Sequence, residues 1–365
     1  MIKNFKLLNN KTSFLFNDNY SETFPNIWLR DHIKNKDNWD FNTNQRTTFT
    51  AKLDINIKAK KAKILEGGKF IEILWSNEKK PTKYSYNFLK ANSLRKQKKN
   101  NDVKYWKNKD IKKQIFTNFE QVKTKSGFKN LLKKINKYGF AVIKNCSKDL
   151  KSVETIAKKI GYVRNSIFGG LWTFESDNKK ADSAYSNQEL RPHTDSTYSN
   201  DAPGLQLLLC CKYVANGGDS IMVDGFKLAN DIKKNNKKHF RTLSTTKVKG
   251  SYIGDGVQLE AERPIILLNK KNNYQQISFN NYDRAPFRAS NQKTMNFYKA
   301  IKVFDTLAND KKYQWRYILK PGELLIFNNW RVMHGRGAFS GIRKMAGCYI
   351  NKEDFDSCCR MNKII

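Results

Sequence analysis

The sequence lacks any long apolar run. A membrane-spanning helix needs roughly 18 to 20 consecutive apolar residues, and no stretch of this chain approaches that length. The opening residues, MIKNFKLLNNKTSFLF, also lack the charged-then-apolar pattern and the small-residue cleavage site of a secretory signal. We therefore expect no membrane partner and a cytoplasmic location.

Cysteine and histidine are both scarce. The six cysteines include two adjacent pairs but form no C-x-x-C motif, the usual signature of a zinc or redox site, so we expect reduced thiols. Only four histidines occur, namely His32, His193, His239 and His334. The surroundings of each histidine are therefore informative about metal binding.

Acidic residues are far outnumbered by basic ones. There are 33 Asp and Glu against 69 Lys and Arg, which gives a formal net charge of +36. Such an excess invites a nucleic-acid hypothesis, because a basic face is the footprint of phosphate binding. Lysine supplies most of the charge, however, and is spread from end to end, whereas nucleic-acid readers usually concentrate arginine and aromatic residues on one element. We expect a solvated lysine surface and no specific nucleic-acid partner.

The chain is long enough for one large domain and one smaller domain, since 39% of its 365 residues are hydrophobic. Residues 1–92 predict a small β-rich N-terminal domain, in which short alternating stretches such as 70–75 are bounded by polar turns. Residues 93–116 are rich in lysine and asparagine and predict an exposed basic linker. Residues 117–365 make up the second domain.

The second domain is predicted to be mainly β with flanking helices. Apolar residues at helical spacing within 128–135 and 150–160 predict two helices, and Gly139 and Gly161 both stand where a C-terminal cap belongs. The turn at 320–323 (KPGE) has the proline and glycine of a type II turn, and we expect it to join two strands as a hairpin. Many short strands separated by loops favour a jelly roll over a parallel sheet. The strands are predicted at residues 205–211, 220–223, 265–268, 275–279, 315–319, 324–327 and 345–350.

An H-x-D triplet and a distant histidine indicate a metal site. His193 and Asp195 would point to the same face of an extended strand, and His334 comes much later, at the end of an apolar strand. Two histidines and one carboxylate on one face of a metal leave about three positions open, as in non-haem Fe(II) oxygenases.

Arg343 stands at the start of the next predicted strand, nine positions after His334. Its guanidinium fork suits a carboxylate such as the distal one of 2-oxoglutarate.

These residues carry a family resemblance. The chain resembles the γ-butyrobetaine and trimethyllysine dioxygenases, a branch of the taurine-dioxygenase-like superfamily, and the trimethyllysine enzymes in particular. The resemblance runs through both predicted domains. The stretches that carry it are residues 28–32 (WLRDH), 45–46, 75, 191–198 (RPHTDSTY), 217–220, 223–226, 280–285 (NNYDRA) and 329–349.

The resemblance implies a double-stranded β-helix catalytic domain. It implies Fe(II) on His193, Asp195 and His334, and 2-oxoglutarate on Arg343 with help from Ser220. It also implies a homodimer and stimulation by ascorbate. These assignments come from the family and not from composition or periodicity.

The N-terminal domain departs from the family pattern. Members usually bind a structural zinc there through cysteines shortly after the W-L-R-D motif and a later histidine, but Ile33, Asn35 and Asn38 stand at the cysteine positions. Alkyl and amide groups do not replace thiolates on Zn²⁺. We therefore expect no structural zinc, with Trp39 and Phe41 helping to fill the core.

The family holds a quaternary ammonium group in an aromatic cage, because ring faces attract a cation that cannot donate a hydrogen bond. Phe168 replaces a tyrosine of the family pattern, so that the cage keeps its ring faces and loses a hydroxyl. The cage positions implied here are Phe168, Trp172 and Tyr185, with Tyr198 and Tyr349 nearby.

The substrate is expected to be N6-trimethyllysine, hydroxylated at C3. Asp182 matches an aspartate of the trimethyllysine enzymes and would pair with the substrate α-ammonium group, which γ-butyrobetaine lacks. Asn280 or Asn281 would bind the substrate carboxylate. γ-Butyrobetaine and other betaine-like molecules remain the alternative substrates.

Three other readings stay open at the level of sequence. One is a related dioxygenase acting on another small acid such as a sulfonate, which would not need the cage. Another is a non-catalytic jelly-roll protein that keeps the metal site for ligand sensing. The third is a nucleic-acid demethylase with the same iron chemistry, which the charge favours and the lack of a concentrated arginine and aromatic element disfavours.

Overall fold

The computed structural model describes residues 1–95, 102–175 and 187–365. The chain divides into two compact units, Met1–Lys99 and Asn100–Ile365, and each is described by itself below. No helix in the described residues is long and apolar enough to cross a membrane.

The N-terminal unit is built from small antiparallel sheets. β1, β2 and β3 form one sheet, β6, β7 and β8 form another, and β4 pairs with β5. In β7 the apolar residues Ile71, Ile73 and Trp75 alternate with more exposed ones and are fully buried, as a strand with one face on a core requires. The elements are β1 (Ile2–Leu7), β2 (Lys11–Phe16), β3 (Ser21–Pro25), α1 (Asn26–Asp31), β4 (Trp39–Asp40), β5 (Gln45–Arg46), β6 (Ala59–Leu65), β7 (Phe70–Trp75), β8 (Thr82–Ser85) and α2 (Tyr86–Ala91).

Hydrogen-bonded amides stand at two of the three positions, Asn35 and Asn38, where the resemblance would lead us to expect zinc-binding cysteines. The Asn35 side-chain oxygen accepts bonds from the backbone N–H of Asn38 at 3.1 Å and from its Nδ2 at 2.6 Å. The Asn38 oxygen in turn accepts from Arg30 at 3.1 Å and from the Thr48 hydroxyl at 2.7 Å. We call Arg30, Asn35, Asn38 and Thr48 the amide cluster. It ties the segment after α1 together through side-chain hydrogen bonds, with the Arg30 guanidinium as its one charged donor.

The aromatic residues of this segment do not fill the core as the sequence predicts. Phe41 is 61% exposed, and Trp39 is half-buried with the Lys34 ammonium 4.0 Å from its ring centre. Ile33 is buried in the core instead. The short β4–β5 ladder, which begins at Trp39, leaves Phe41 in the exposed turn between its two strands.

The second unit has the predicted succession of helices followed by many strands. Its elements are β9 (Phe116–Asn118), α3 (Phe119–Lys123), α4 (Lys125–Tyr138), β10 (Phe140–Lys144), α5 (Leu150–Ile160), β11 (Val163–Arg164), β12 (Trp172–Glu175), β13 (Leu190–His193), β14 (Leu205–Gly217), β15 (Ser220–Asp224), α6 (Gly225–Asn235), α7 (Lys237–Thr245), β16 (Lys247–Gly254), β17 (Val257–Pro264), β18 (Ile266–Leu268), β19 (Tyr274–Ile277), α8 (Asn291–Asn309), β20 (Gln314–Tyr317), β21 (Leu324–Asn328), β22 (Val332–Arg336), β23 (Phe339–Ile350) and α9 (Lys352–Met361).

Two sheets face each other in this unit. The larger has the order β11-β23-β14-β21-β10-β9, with β12 paired to β23, and the smaller has the order β13-β22-β15-β20. Alternation along the strands divides the core into layers. In β21, Leu324 and Ile326 pack toward α4 and α5, whereas Leu325 and Phe327 pack between the sheets. This layering confirms the predicted jelly-roll class, mainly β with flanking helices.

The first two predicted helices are present but end differently. Gly139 follows α4 in the left-handed region at φ 83° and donates its N–H to Ile135, as a C-terminal cap does. Gly161 follows α5 with an extended φ of 176°. Its lack of a side chain serves packing, since a Cβ there would lie 2.5 Å from Cβ of Asp354.

The predicted hairpin at residues 320–323 is wrong, although the turn itself forms. Gly322 has φ 85°, and the Glu323 N–H donates to the Lys320 carbonyl at 2.9 Å. The strands on either side lie in different sheets, because β20 pairs with β15 and β21 pairs with β10 and β14. The turn carries the chain across the sandwich.

Residues 102–116 are not the uniformly exposed linker that the sequence predicts. Trp106 and Ile115 are fully buried and Ile111 is nearly so, within the core between the sheets. The Trp106 backbone N–H donates to Asp224 at 3.1 Å, and its indole N–H donates to the Tyr138 carbonyl at 2.6 Å. Although the segment is rich in lysine, these three apolar side chains pack it against the core of the second unit.

A buried ion pair organises the same region. Arg331 and Asp224 are 2% and 1% exposed, and the guanidinium donates to both carboxylate oxygens, at 3.1 Å and 2.8 Å. Its remaining donors reach the carbonyls of Lys104, Asn136 and Lys137. The charge is therefore buried with its hydrogen bonds made, which is the condition for tolerating it.

Candidate active site

The three predicted metal ligands come together at one end of the space between the sheets. Oδ1 of Asp195 lies 3.4 Å from Nε2 of His193 and 3.4 Å from Nε2 of His334. The three ligand atoms lie within 4.8 Å of one another, and all three residues line one cavity. We call these residues the metal triad.

Strand pairing places the two histidines side by side. His193 ends β13, and His334 is its direct partner in β22. Nδ1 of His193 lies 2.8 Å from the Arg191 carbonyl oxygen. Because a carbonyl can only accept, Nδ1 carries a proton, and Nε2 is the nitrogen left to face a metal.

Asp195 lies beyond the end of β13 and not in the continuous strand that the sequence predicts. The chain turns at once, with Ser196 at φ 56°. The Asn329 side chain clamps the Asp195 backbone, since its Oδ1 accepts from the Asp195 N–H at 2.8 Å and its Nδ2 donates to the Asp195 carbonyl at 3.2 Å. A turn and an amide clamp thus provide the geometry that a strand was expected to give.

Burial and mutual charge set the protonation of the triad. Burial lowers the pKa of His334 to about 4, so its imidazole is neutral at neutral pH. Burial also lowers the pKa of His193, but the hydrogen bond and charge of Asp195 outweigh burial and raise that pKa. Burial alone would raise the pKa of Asp195, yet the two histidines and a hydrogen bond from Tyr349 hold it below the usual range. An ionised carboxylate is the state that metal coordination requires.

The donor set fits ferrous iron. Imidazole nitrogen is a good ligand for iron, and two imidazoles with one carboxylate leave positions open for a chelating cosubstrate and O₂.

His32 is not part of this site and packs within the N-terminal unit. Its ring stacks on Trp28 with ring centres 4.2 Å apart, and its Nδ1 lies 2.7 Å from the Trp28 carbonyl oxygen.

Two guanidinium groups are buried in the wall of the same cavity. Arg343 on β23 is 7% exposed and makes no salt bridge with a carboxylate of the described residues, and burial lowers its pKa. Arg336 on β22 donates to the Gln188 carbonyl at 2.8 Å, and burial together with the charge of Arg343 lowers its pKa to about 10. Ser220 on β15 pairs with Arg336 and also lines the cavity. Desolvated cations in one wall favour an anionic ligand.

Aromatic rings line the remainder of the cavity. Trp172 and Tyr349 have ring centres 5.8 Å apart, and Tyr198 and Tyr252 have ring centres 5.1 Å apart. Gly347 pairs with Trp172 across the ladder, and a Cβ there would lie 2.3 Å from the indole. We call the Phe, Trp and Tyr rings that line the cavity the aromatic wall, which consists of the six residues Phe168, Trp172, Phe174, Tyr198, Tyr252 and Tyr349.

The loop after β19 places only one of the two predicted asparagines in this cavity. Asn280 lines it, whereas Asn281 lines a separate cavity behind His193 and accepts a bond from Arg284 at 3.1 Å. Asn280 donates to Asp283 at 2.8 Å, and Asp283 is a further carboxylate of the cavity wall. Of the two asparagines expected to bind the substrate carboxylate, only Asn280 therefore lines the cavity that contains the metal triad.

Two predicted site residues, Asp182 and Tyr185, lie outside the described residues. Conversely, sequence reasoning missed several residues that the fold brings to the site. Arg336 stands two positions after His334 in the same strand, so strand alternation would have placed both side chains on one face. The others, which have no local pattern to reveal them, are Tyr252, Asp283 and Asn329.

Comparison with known proteins agrees with this geometry. Residues 107–349 match the model of the family described as "Taurine catabolism dioxygenase TauD, TfdA family". In structure, the chain is similar to AAD-2 in complex with Mn(II) and N-oxalylglycine, with a TM-score of 0.52 and 12% identity over 66% of this chain and 96% of that one. At that identity the likeness shows the fold alone.

Two curated relatives are similar over most of their length. The trimethyllysine dioxygenase of Meyerozyma guilliermondii is 31% identical over 92% of this chain and 90% of its own. The gamma-butyrobetaine dioxygenase of Pongo abelii is 29% identical over 92% of this chain and 90% of its own. On the family match and these identities, the chain belongs to the TauD, TfdA family and is an Fe(II)- and 2-oxoglutarate-dependent dioxygenase.

Proposed function

We propose that this enzyme hydroxylates N6-trimethyllysine at C3 while 2-oxoglutarate and O₂ are converted to succinate and CO₂. The observation that carries the proposal is the composition of a single cavity. The metal triad and buried Arg343 line it together with the aromatic wall. It therefore offers a place for a metal, a carboxylate and a large apolar cation within reach of one another.

Each part of the cavity has a separate task in this proposal. The metal triad would hold Fe(II), which with 2-oxoglutarate and O₂ would supply the chemistry that oxidises a C–H bond. Arg343 binds the distal carboxylate of 2-oxoglutarate through its guanidinium fork, assisted by the Ser220 hydroxyl. Both lie in the cavity wall beside the triad, and the burial of Arg343 strengthens its attraction for an anion.

The aromatic wall binds the trimethylammonium group. A quaternary ammonium cannot donate a hydrogen bond, so ring faces are its natural partners. In this proposal Asn280 binds the substrate carboxylate, and Asp182, assigned from the family resemblance, pairs with the α-ammonium group. The Asp283 carboxylate adds negative charge to the same wall, which favours a substrate with two cationic groups. Closing such a substrate among rings also excludes water from the reacting carbon.

The Meyerozyma relative named trimethyllysine dioxygenase supports this choice of substrate. γ-Butyrobetaine is the second candidate, because a relative named gamma-butyrobetaine dioxygenase matches over a similar share of the chain. It would use the aromatic wall and Asn280 without needing a carboxylate for an α-ammonium group. A cytoplasmic location is a further proposal that rests on the sequence, and imaging of a tagged chain would test it. A homodimer and stimulation by ascorbate are proposals that rest on the family resemblance, and sedimentation and assays with ascorbate would test them.

A panel of trimethylammonium compounds tests the substrate assignment. The enzyme is reconstituted anaerobically with Fe(II), mixed with 2-oxoglutarate and one compound, and exposed to air. Mass spectrometry should find trimethyllysine with one added oxygen atom, and NMR should place it at C3. His334→Ala is the control for reactions of free iron. Turnover of a sulfonate in preference to every trimethylammonium compound would overturn the proposal.

A further inference from the structure

The two carboxylate oxygens of Asp195 have different neighbours. Oδ1 is the atom that lies 3.4 Å from Nε2 of both His193 and His334. Oδ2 instead accepts a hydrogen bond from the Tyr349 hydroxyl at 2.8 Å. One oxygen therefore faces the position of the metal, and the other is held by a phenol.

Tyr349 is well placed to keep that hydrogen bond. It stands within β23, where its neighbours across the ladders are Gln206 of β14 and Arg164 of β11. The side chain is 3% exposed, and its ring packs near Trp172 in the aromatic wall. A phenol fixed by a central strand loses little further freedom when it donates to a carboxylate. The hydrogen bond is thus part of the folded scaffold.

We infer that Tyr349 is a positioning residue that keeps Asp195 monodentate toward the metal. A carboxylate can bind a metal with one oxygen or with both. The phenol O–H lies on Oδ2 and opposes the rotation that would bring this oxygen to the metal. This inference rests on the proposed function, because its purpose is to keep a coordination position open for the cosubstrate.

The number of open positions gives this arrangement its importance. A metal held by this triad would keep about three positions open, and a chelating keto acid together with O₂ would need all of them. A second oxygen from Asp195 would remove one of them. The Tyr349 hydroxyl would therefore affect the binding of both the metal and 2-oxoglutarate, even though it touches neither in the role proposed here. Its ring serves separately in the aromatic wall.

Tyr349→Phe tests the inference because it keeps the ring and removes only the hydroxyl. The matched control is Tyr313→Phe, which removes a buried phenol that donates to the Asp231 carboxylate, also at 2.8 Å, outside the site. Co(II) titration followed by visible absorption reports metal affinity and coordination. Anaerobic Fe(II) and 2-oxoglutarate report chelation through their charge-transfer band. Circular dichroism checks that both variants are folded.

Tyr349→Phe should weaken Co(II) binding roughly tenfold to a hundredfold, the usual effect of losing a partner of a metal ligand. It should also change the Co(II) spectrum and raise the 2-oxoglutarate concentration needed for the charge-transfer band. Tyr313→Phe should match the wild type. Wild-type metal and cosubstrate binding in Tyr349→Phe, or equal losses in both variants, would overturn the inference.

These measurements contain no trimethylated substrate, so a wrong substrate assignment would leave their outcome unchanged. A wild-type protein that forms no 2-oxoglutarate charge-transfer band would instead contradict the proposed cofactor chemistry, and the role of Tyr349 would fall with it. The two failures are therefore distinguishable.

Discussion

Removing Arg343 should separate cosubstrate binding from substrate binding. The guanidinium is 7% exposed and makes no salt bridge with a described carboxylate. The distal carboxylate of 2-oxoglutarate would therefore be its main anionic partner, in a bidentate and largely desolvated contact. Losing such a contact costs on the order of 2 to 4 kcal/mol, which corresponds to roughly a thirtyfold to a thousandfold loss of affinity. Arg343→Ala should raise the KM for 2-oxoglutarate by that factor and change the KM for the amine substrate far less.

The assay follows O₂ uptake and succinate release while each reactant is varied in turn. Arg343→Lys is the matched variant, since it keeps the positive charge and loses the fork. 2-Oxobutyrate supplies a second control, because it chelates through the same keto-acid group but has no distal carboxylate. Its binding should be similar in the wild type and Arg343→Ala. An equal loss for 2-oxoglutarate and 2-oxobutyrate, or for cosubstrate and amine, would show that Arg343 has a structural role.

His334→Ala should abolish turnover and Fe(II) binding, because two ligands do not maintain the facial geometry; oxygen uptake and metal titration measure both, and substantial residual activity would refute the metal site. The same variant should contain no stoichiometric zinc, and a zinc ion found by elemental analysis would reveal a second site. Asp182→Asn should raise the KM for trimethyllysine roughly tenfold to a hundredfold, the effect of about 1.4 to 3 kcal/mol, with γ-butyrobetaine used no worse; an unchanged preference ratio would contradict the ammonium role. Arg331→Met should lower the free energy of unfolding by about 3 to 5 kcal/mol, because it leaves the Asp224 charge buried alone; urea denaturation measures this, and a loss under 1 kcal/mol would contradict the reasoning.

The features that sequence predicts well in this chain are local. Alternation identifies β7, a continuous apolar run identifies β21, and helical spacing with a left-handed glycine identifies α4 and its end at Gly139. The sequence also predicts the turn at 320–323 with its glycine in the observed conformation. It predicts the wrong pairing for the flanking strands, because strand pairing depends on residues distant in sequence. A local pattern does not distinguish a hairpin from a crossing between sheets.

A motif and a family resemblance predict the residues that bind the metal and 2-oxoglutarate. They do not predict the residues that hold those side chains in place, because polar side chains such as Asn329 make their contacts across more than a hundred residues of sequence. Composition also gives an incorrect prediction of burial. The lysine content of residues 102–116 predicts an exposed segment, but its apolar residues, such as Trp106, are buried. Burial follows where the apolar residues pack and not the average polarity of a segment.

Strand β22 shows why stability and the metal site are connected in this fold. It follows directly after Arg331, whose buried guanidinium bonds Asp224 at the end of β15, the strand that pairs with β22 along its length. Within β22, Val332 packs between the sheets and Met333 packs toward the helices, so His334 faces the cavity by alternation. A shift of one residue in this pairing would turn His334 away from Asp195. The Arg331–Asp224 ion pair joins the start of β22 to the end of β15 and so opposes a shift in the pairing of these strands. Removing the ion pair should therefore weaken metal binding in addition to lowering stability.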